Sequence, residues 1–168
     1  MTAPPVATAS ATSSVVGPSR SDAAKASLPS PIAYDRYVNP RFGFGVDVPT
    51  FLHAEEPPTN GDGRTFTFGD ALELRAWGMY GVEPLDEAWK RDATQRGVTY
   101  KSKQRDGYVV SGTAPTDGGS RVFYKRTVVA GDVVMAVELE YAASLKAEMD
   151  PVVARVAGSL ARASGVSP

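Results

Sequence analysis

The residues able to do chemistry are few. His53 is the only histidine, and there is no cysteine. Thiolate catalysis, disulfides and zinc sites built on thiolates are therefore excluded, as is a metal site needing two imidazoles from the chain. His53 has Glu55 and Glu56 nearby as acid/base partners, but it stands in a short loop between prolines with no serine nucleophile implied beside it. A triad needs nucleophile, base and orienting group together, so His53 reads as a surface residue. The adjacent carboxylates Glu55–Glu56 and Asp86–Glu87 do not suit a glycosidase pair, which must flank a shared cleft from opposite sides. Asp86 and Glu87 fit the first turn of a helix, where negative charge complements the dipole. No catalytic residue is expected.

Asn60, Gly61, Asp62 and Gly63 match the middle of a calcium loop. Pro58 stands where the first carboxylate belongs, and no bidentate Glu closes the loop. An Asn-Gly, Asp-Gly turn accounts for all four residues. Neither metal nor cofactor is expected.

Binding residues are better represented. Trp77, Met79 and Tyr80 surround Gly78 and Gly81 in what reads as a glycine-punctuated loop, the setting in which aromatic side chains dock partners. Trp77 fits equally well under the first helix beside Trp89. Lys101, Lys103 and Arg105 alternate along a strand, and Arg121, Lys125 and Arg126 lie two strands on. Such a stripe suits an acidic partner, but lysines also guard sheet edges, and Glu138 and Glu140 can neutralise neighbouring bases. With 18 Lys and Arg against 19 Asp and Glu, the net charge of −1 gives no field for nucleic acid. A protein partner is expected, and no nucleic acid.

The elements that must position these residues begin at Tyr34. Residues 1–33 are an Ala/Ser/Thr/Pro/Val mixture without aromatics, too poor in apolar surface to offset ordering, and read as a disordered tail. Residues 164–168 read the same way. The tail is similar in composition to the spacer after a cleaved signal or lipid anchor, which implies a periplasmic or otherwise extracytoplasmic protein. A plain cytoplasmic N-terminus is the alternative. No run approaches the roughly 18 apolar residues of a membrane helix, so membrane contact is expected only through an anchor outside the sequence.

Phe42, Phe44, Val46 and Val48 alternate up to Pro49 and predict a first strand. Thr65–Phe68 and Ala71–Trp77 predict a hairpin around Gly69 and Asp70. Pro84, the stripe Leu85, Ala88, Trp89 and Ala93, and Gly97 as a stop predict a helix over 84–96. Val98–Gln104, Tyr108–Thr113, Arg121–Val129 and Val133–Tyr141 predict four strands joined by tight turns. Asp150 as N-cap, Pro151 at the first position and Val152, Val153, Val156 and Leu160 predict a helix over 150–162. The order gives an α+β domain over 34–163, a mostly antiparallel sheet of six to seven strands flanked by two helices.

Tyr37, Asn39, Gly43, Phe44 and Pro49, the strand ending Glu138–Tyr141 and the terminal helix from Asp150 resemble the PsbP-like superfamily over 34–162. The resemblance implies an α/β/α sandwich, shared by an extrinsic photosystem II subunit, a Ran-binding import factor and uncharacterised bacterial lipoproteins and secretion chaperones. It carries no active site. It implies a non-enzymatic binding or assembly-stabilising domain of the bacterial envelope, with a cytoplasmic secretion chaperone or adaptor as alternative and an unrecognised hydrolase as a third reading. The long tail departs from a compact chaperone.

Overall fold

The computed structural model describes residues 27–81, 83–95 and 97–163. Two antiparallel sheets form the frame. β1 (Tyr34–Asn39), β2 (Phe44–Pro49) and β10 (Ala161–Arg162) make a small sheet in the order β1-β2-β10. β3 (His53–Ala54), β4 (Gly63–Phe68), β5 (Leu72–Tyr80), β6 (Val98–Gln104), β7 (Gly107–Thr116), β8 (Gly119–Ala130) and β9 (Val133–Ala142) make a seven-stranded sheet in the order β3-β4-β5-β9-β8-β7-β6. Tight turns link β6 to β9, which suits antiparallel neighbours. The described residues also form two α-helices, α1 (Leu85–Ala93) and α2 (Lys146–Ser159), the second led in by a 3-10 turn at Ala143–Leu145. The predicted α+β architecture, a mostly antiparallel sheet with two flanking helices, is the one observed.

The core lies between the large sheet, α2 and the small sheet. Leu72 and Leu74 of β5, Met135, Val137 and Leu139 of β9, Phe44 and Val46 of β2, and Met149, Val152 and Val156 of α2 are all buried there. These residues alternate on the strands and recur at helical spacing on α2, so each element gives one apolar side to the same layer.

Several boundaries differ from expectation. β1 is a strand that the sequence pattern does not mark. Its exposed Asp35 and Arg36 break the alternation, and it is paired along its length to β2. Helix α1 covers Leu85–Ala93 rather than 84–96, because the Thr94 hydroxyl donates to the carbonyls of Lys90 (2.9 Å) and Arg91 (3.0 Å) and closes the last turn. Helix α2 starts at Lys146, so Asp150 and Pro151 lie inside it and cap nothing. Leu145 and Met149, both fully buried, are drawn onto the sheet, and Lys146 pairs with Asp150 one turn on (2.9 Å). This anchorage outweighs the preference of proline for a first turn. α2 ends at Ser159, and Ala161–Arg162 leave it to pair with β2.

Of the expected tail, residues 1–26 lie outside the described residues, as does the expected C-terminal segment 164–168. Leu28 and Ile32 pack against the core, and the Leu28 amide donates to Glu148 (2.8 Å). Among the described residues, no helix is long and apolar enough to cross a membrane.

Candidate functional site

The large sheet has a second face, which carries side chains of opposite parity from the core. β5 brings Arg75, Trp77 and Met79 to it, β9 brings Val134, Ala136 and Glu138, β8 brings Phe123, Lys125, Thr127 and Val129, and β7 brings Tyr108. α1 packs over the β6–β7 end of this face. Between α1 and the rest runs a cleft of about 240 Å³, lined among others by Trp77, Met79, Leu85, Ala88, Val134 and Ala136.

Trp77–Tyr80 are therefore strand residues, not the loop expected. β5 runs to Tyr80, opposite Val133 of β9. Gly78 punctuates no turn: a Cβ there would lie 2.7 Å from that of Phe42, so the glycine admits the Phe42 ring against the strand. Parity then separates two neighbours. Met79, 46% exposed, is at the cleft, while Tyr80, 50% exposed, is on the opposite face against Phe42 with ring centroids 5.3 Å apart. Trp77 is half-buried, and the Lys125 ammonium lies 5.6 Å from its ring centroid.

Behind the cleft-lining residues Arg91, Tyr108 and Lys125 lies a polar centre, Asp92 of α1, which is 1% exposed. Its Oδ2 accepts from the Tyr108 hydroxyl (2.7 Å) and Lys125 Nζ (2.6 Å). Its Oδ1 accepts from Arg91 Nε (3.1 Å) and Gln95 Nε2 (3.4 Å). A carboxylate offers about four lone-pair sites, and here all are occupied. Burial by itself would raise the Asp92 pKa. Hydrogen bonds from Lys125 and Tyr108, the Lys125 charge and the Arg91 contact outweigh it, and the carboxyl is held below its ordinary value. Tyr108 moves the other way, to about 12, through burial first and then its bond to Asp92. Acid/base catalysis favours groups that titrate near the working pH, and these two are pushed away from neutrality. The cluster ties α1 to the sheet. The Thr127 hydroxyl lies close enough to Tyr108 to act on its pKa in the opposite sense, but it is buried outside hydrogen-bonding geometry.

The basic stripe is divided. Lys101 and Lys103 share the α1 side, where Lys103 bonds to Asp86 of the helix, and Arg105 follows in the turn. Arg121 is held by Glu140 (2.7 Å) and by the Asp70 carbonyl (2.7 Å), and Glu138 by Arg75 (3.2 Å). Arg126 lies on the opposite face and donates to the Ala157 carbonyl (2.6 Å) in the last turn of α2, where a cation suits the helix end.

The remaining candidates lie apart from the cleft. His53 is exposed in β3 at the far edge of the sheet. Glu55 accepts from the Thr67 hydroxyl (2.6 Å). Asn60 donates to Asp62 (2.7 Å), and the Gly61 carbonyl accepts from Asn39 (3.0 Å), so this turn is bound up with its own neighbours. Glu87 pairs with Lys90 (2.8 Å). Among the described residues, no three His, Asp or Glu side chains gather where they could hold a metal.

Asp92 is the site residue that sequence reading missed. Its signal is positional: it follows Leu85 by seven residues on the stripe that α1 turns inward, where a carboxylate must find partners.

Comparison with solved structures decides the fold. The chain superposes on the cyanobacterial PsbP protein CyanoP of Synechocystis with a TM-score of 0.60 at 11% identity, over 82% of this chain and 98% of that one. The fold is the PsbP-like one. The Ran-binding protein Mog1p of Saccharomyces cerevisiae matches with a TM-score of 0.56 at 9% identity, over 78% of this chain and 96% of that one. LpqN of Mycobacterium tuberculosis, a protein involved in cell envelope biogenesis, matches with a TM-score of 0.53 at 10% identity, over 78% and 91%. No protein-family model matches the chain, and no curated protein does. On this PsbP-like frame the cleft under α1 joins an exposed apolar mouth to a closed polar centre.

Proposed function

We propose that this domain is a non-enzymatic binding module of the bacterial cell envelope, which docks a protein partner on the α1 side of the large sheet. The observation that carries the reading is Met79. It is a large apolar side chain, 46% exposed at the mouth of an apolar-lined cleft, with Trp77 beside it. Exposed apolar and aromatic groups at a concave site are typical anchors for a partner. The saturated Asp92 favours binding over turnover, since it has no lone pair free to take a proton. Lys101 and Lys103, on the same side, and Arg105 after them are further contact residues of this reading, while Tyr80, on the opposite face, is a candidate contact outside it.

Envelope placement draws support from LpqN, which is described as an envelope-biogenesis protein, and from the spacer-like composition of the first 33 residues. A protein partner draws support from Mog1p, which is described as Ran-binding. The test is a photo-crosslinking residue at position 79, expressed in the native cell and followed by envelope fractionation. The expected result is a discrete protein adduct in the envelope fraction, lost on adding Trp77→Ala. Recovery of the protein in the cytoplasm without any adduct would overturn the reading.

A further inference from the structure

The edge of the large sheet opposite β3 is β6, which carries the basic residues Lys101 and Lys103. β6 pairs with β7 and has no partner on its outer side among the described residues. The other edge of this sheet is the two-residue β3, too short to template a strand. β6 is seven residues long.

The hydrogen-bond phase shows which of its backbone groups are free. The Thr113 amide donates to the Gly97 carbonyl (3.0 Å), so Thr113 and every second residue before it on β7 direct their backbone groups toward β6. Their partners Tyr100, Ser102 and Gln104 use their own groups in return. Lys101 and Lys103 therefore direct N–H and C=O outward. Their side chains stand on the α1 side, while Tyr100, 55% exposed, stands on the other.

From this we infer that β6 is a docking edge for an extended acidic strand of a partner protein, one with Asp or Glu at alternate positions. The inference rests on the reading of the domain as a protein-binding module and names the chemistry of a partner segment. Charge selects the occupant. Antiparallel pairing of β6 with a second copy of itself, centred on this stretch, sets Lys101 or Lys103 against a lysine or Arg105 of the copy, which is unfavourable. An acidic strand in the same place meets Lys101 and the following Arg105 with opposite charge, and Lys103 beside Asp86 of α1. The charges that keep two copies apart thus admit this partner. Opposite-face residues of the incoming strand would pack on Tyr100, which favours β-branched side chains there.

The probe is a synthetic heptapeptide alternating Glu with Val or Thr, titrated into the whole chain at low salt while backbone amides are followed by NMR. Shifts are expected at Lys101 and Lys103, with exchange of these two amides slowed about tenfold at saturation, a change that needs no variant. A peptide with Lys replacing Glu should not bind. Lys101→Pro removes one outward N–H while sparing the ladder to β7, and Lys101→Glu reverses one charge. Each should weaken the acidic peptide about tenfold. No binding at millimolar peptide, or binding that leaves β6 unmoved and shifts Trp77 and Met79 instead, would overturn the edge inference. The second outcome would leave the α1-side docking reading standing. Loss of the adduct at position 79 with intact peptide binding at β6 would do the reverse.

Discussion

The two faces of the large sheet are built from the same strands, residue by residue, and differ in almost everything else. Toward α2 stand Leu72, Leu74, Val137 and Leu139, each at most 1% exposed. Toward α1 stand Trp77, Met79, Lys125 and Glu138, half-buried or exposed, around a carboxylate whose every lone pair is used. One face is closed by a fourteen-residue helix and a second sheet, the other only partly by a nine-residue helix. Burial of apolar area on the first face supplies the stability, and the second is the face proposed above to meet a partner.

Substitutions should separate the faces by size of effect. Leu139→Ala removes a fully buried side chain from the closed face and should cost about 2 to 5 kcal/mol in urea unfolding, whereas Met79→Ser should stay within about 0.5 kcal/mol. Comparable costs at both positions would erase the distinction. Asp92→Asn loses the charge that Lys125 and Arg91 face and should cost about 1 to 3 kcal/mol. Its amide exchange should rise in α1 while α2 stays protected, because the tie lies between α1 and the sheet.

Titration offers a third comparison. Asp92 is held below its ordinary value, so its contribution is present above about pH 4 and is lost as pH falls through the folded value. Asp92→Asn should flatten the acid limb of a stability profile. On the alkaline side the faces act together. Tyr108 is raised to about 12 by burial and Asp92, and Tyr141, on the closed face, to about 12 by burial and Asp150. The protonated phenols stabilise the fold fully below about pH 10, and that contribution is lost as pH rises toward 12. Tyr108→Phe and Tyr141→Phe should each remove part of this decline. The smallest effect belongs to Thr127→Val: replacing a buried hydroxyl without a partner by a methyl group should leave stability unchanged or raise it by up to about 1 kcal/mol.

How much of this was legible in the sequence follows the same division. β6 was expected over the residues it occupies, and β8 and β9 nearly so, since alternation and glycine turns are local signals. The closed face was legible in Phe44, Val46 and Val48 and in the valines of α2. Where local preference met tertiary anchorage, the sequence misled. Pro151 marks a helix start in isolation, but Leu145 and Met149 pull the helix back by a turn. Gly78 looks like a loop residue until Phe42 is seen against it. The polar centre was the least legible part, because Asp92 finds Tyr108 sixteen residues away and Lys125 thirty-three away. In the sequence Lys125 is one base among several. Only the sheet register shows that it points toward α1 while Arg126 points away.

The adjacent pair Met79 and Tyr80 allows the central claim to be tested with everything else held constant. Both are about half exposed, and they lie on opposite faces of one strand. A photo-crosslinking residue placed in turn at 79 and at 80 should give a partner adduct at 79 and little at 80. An adduct at 80 alone, or equal adducts at both, would contradict the assignment of the α1 side as the binding face.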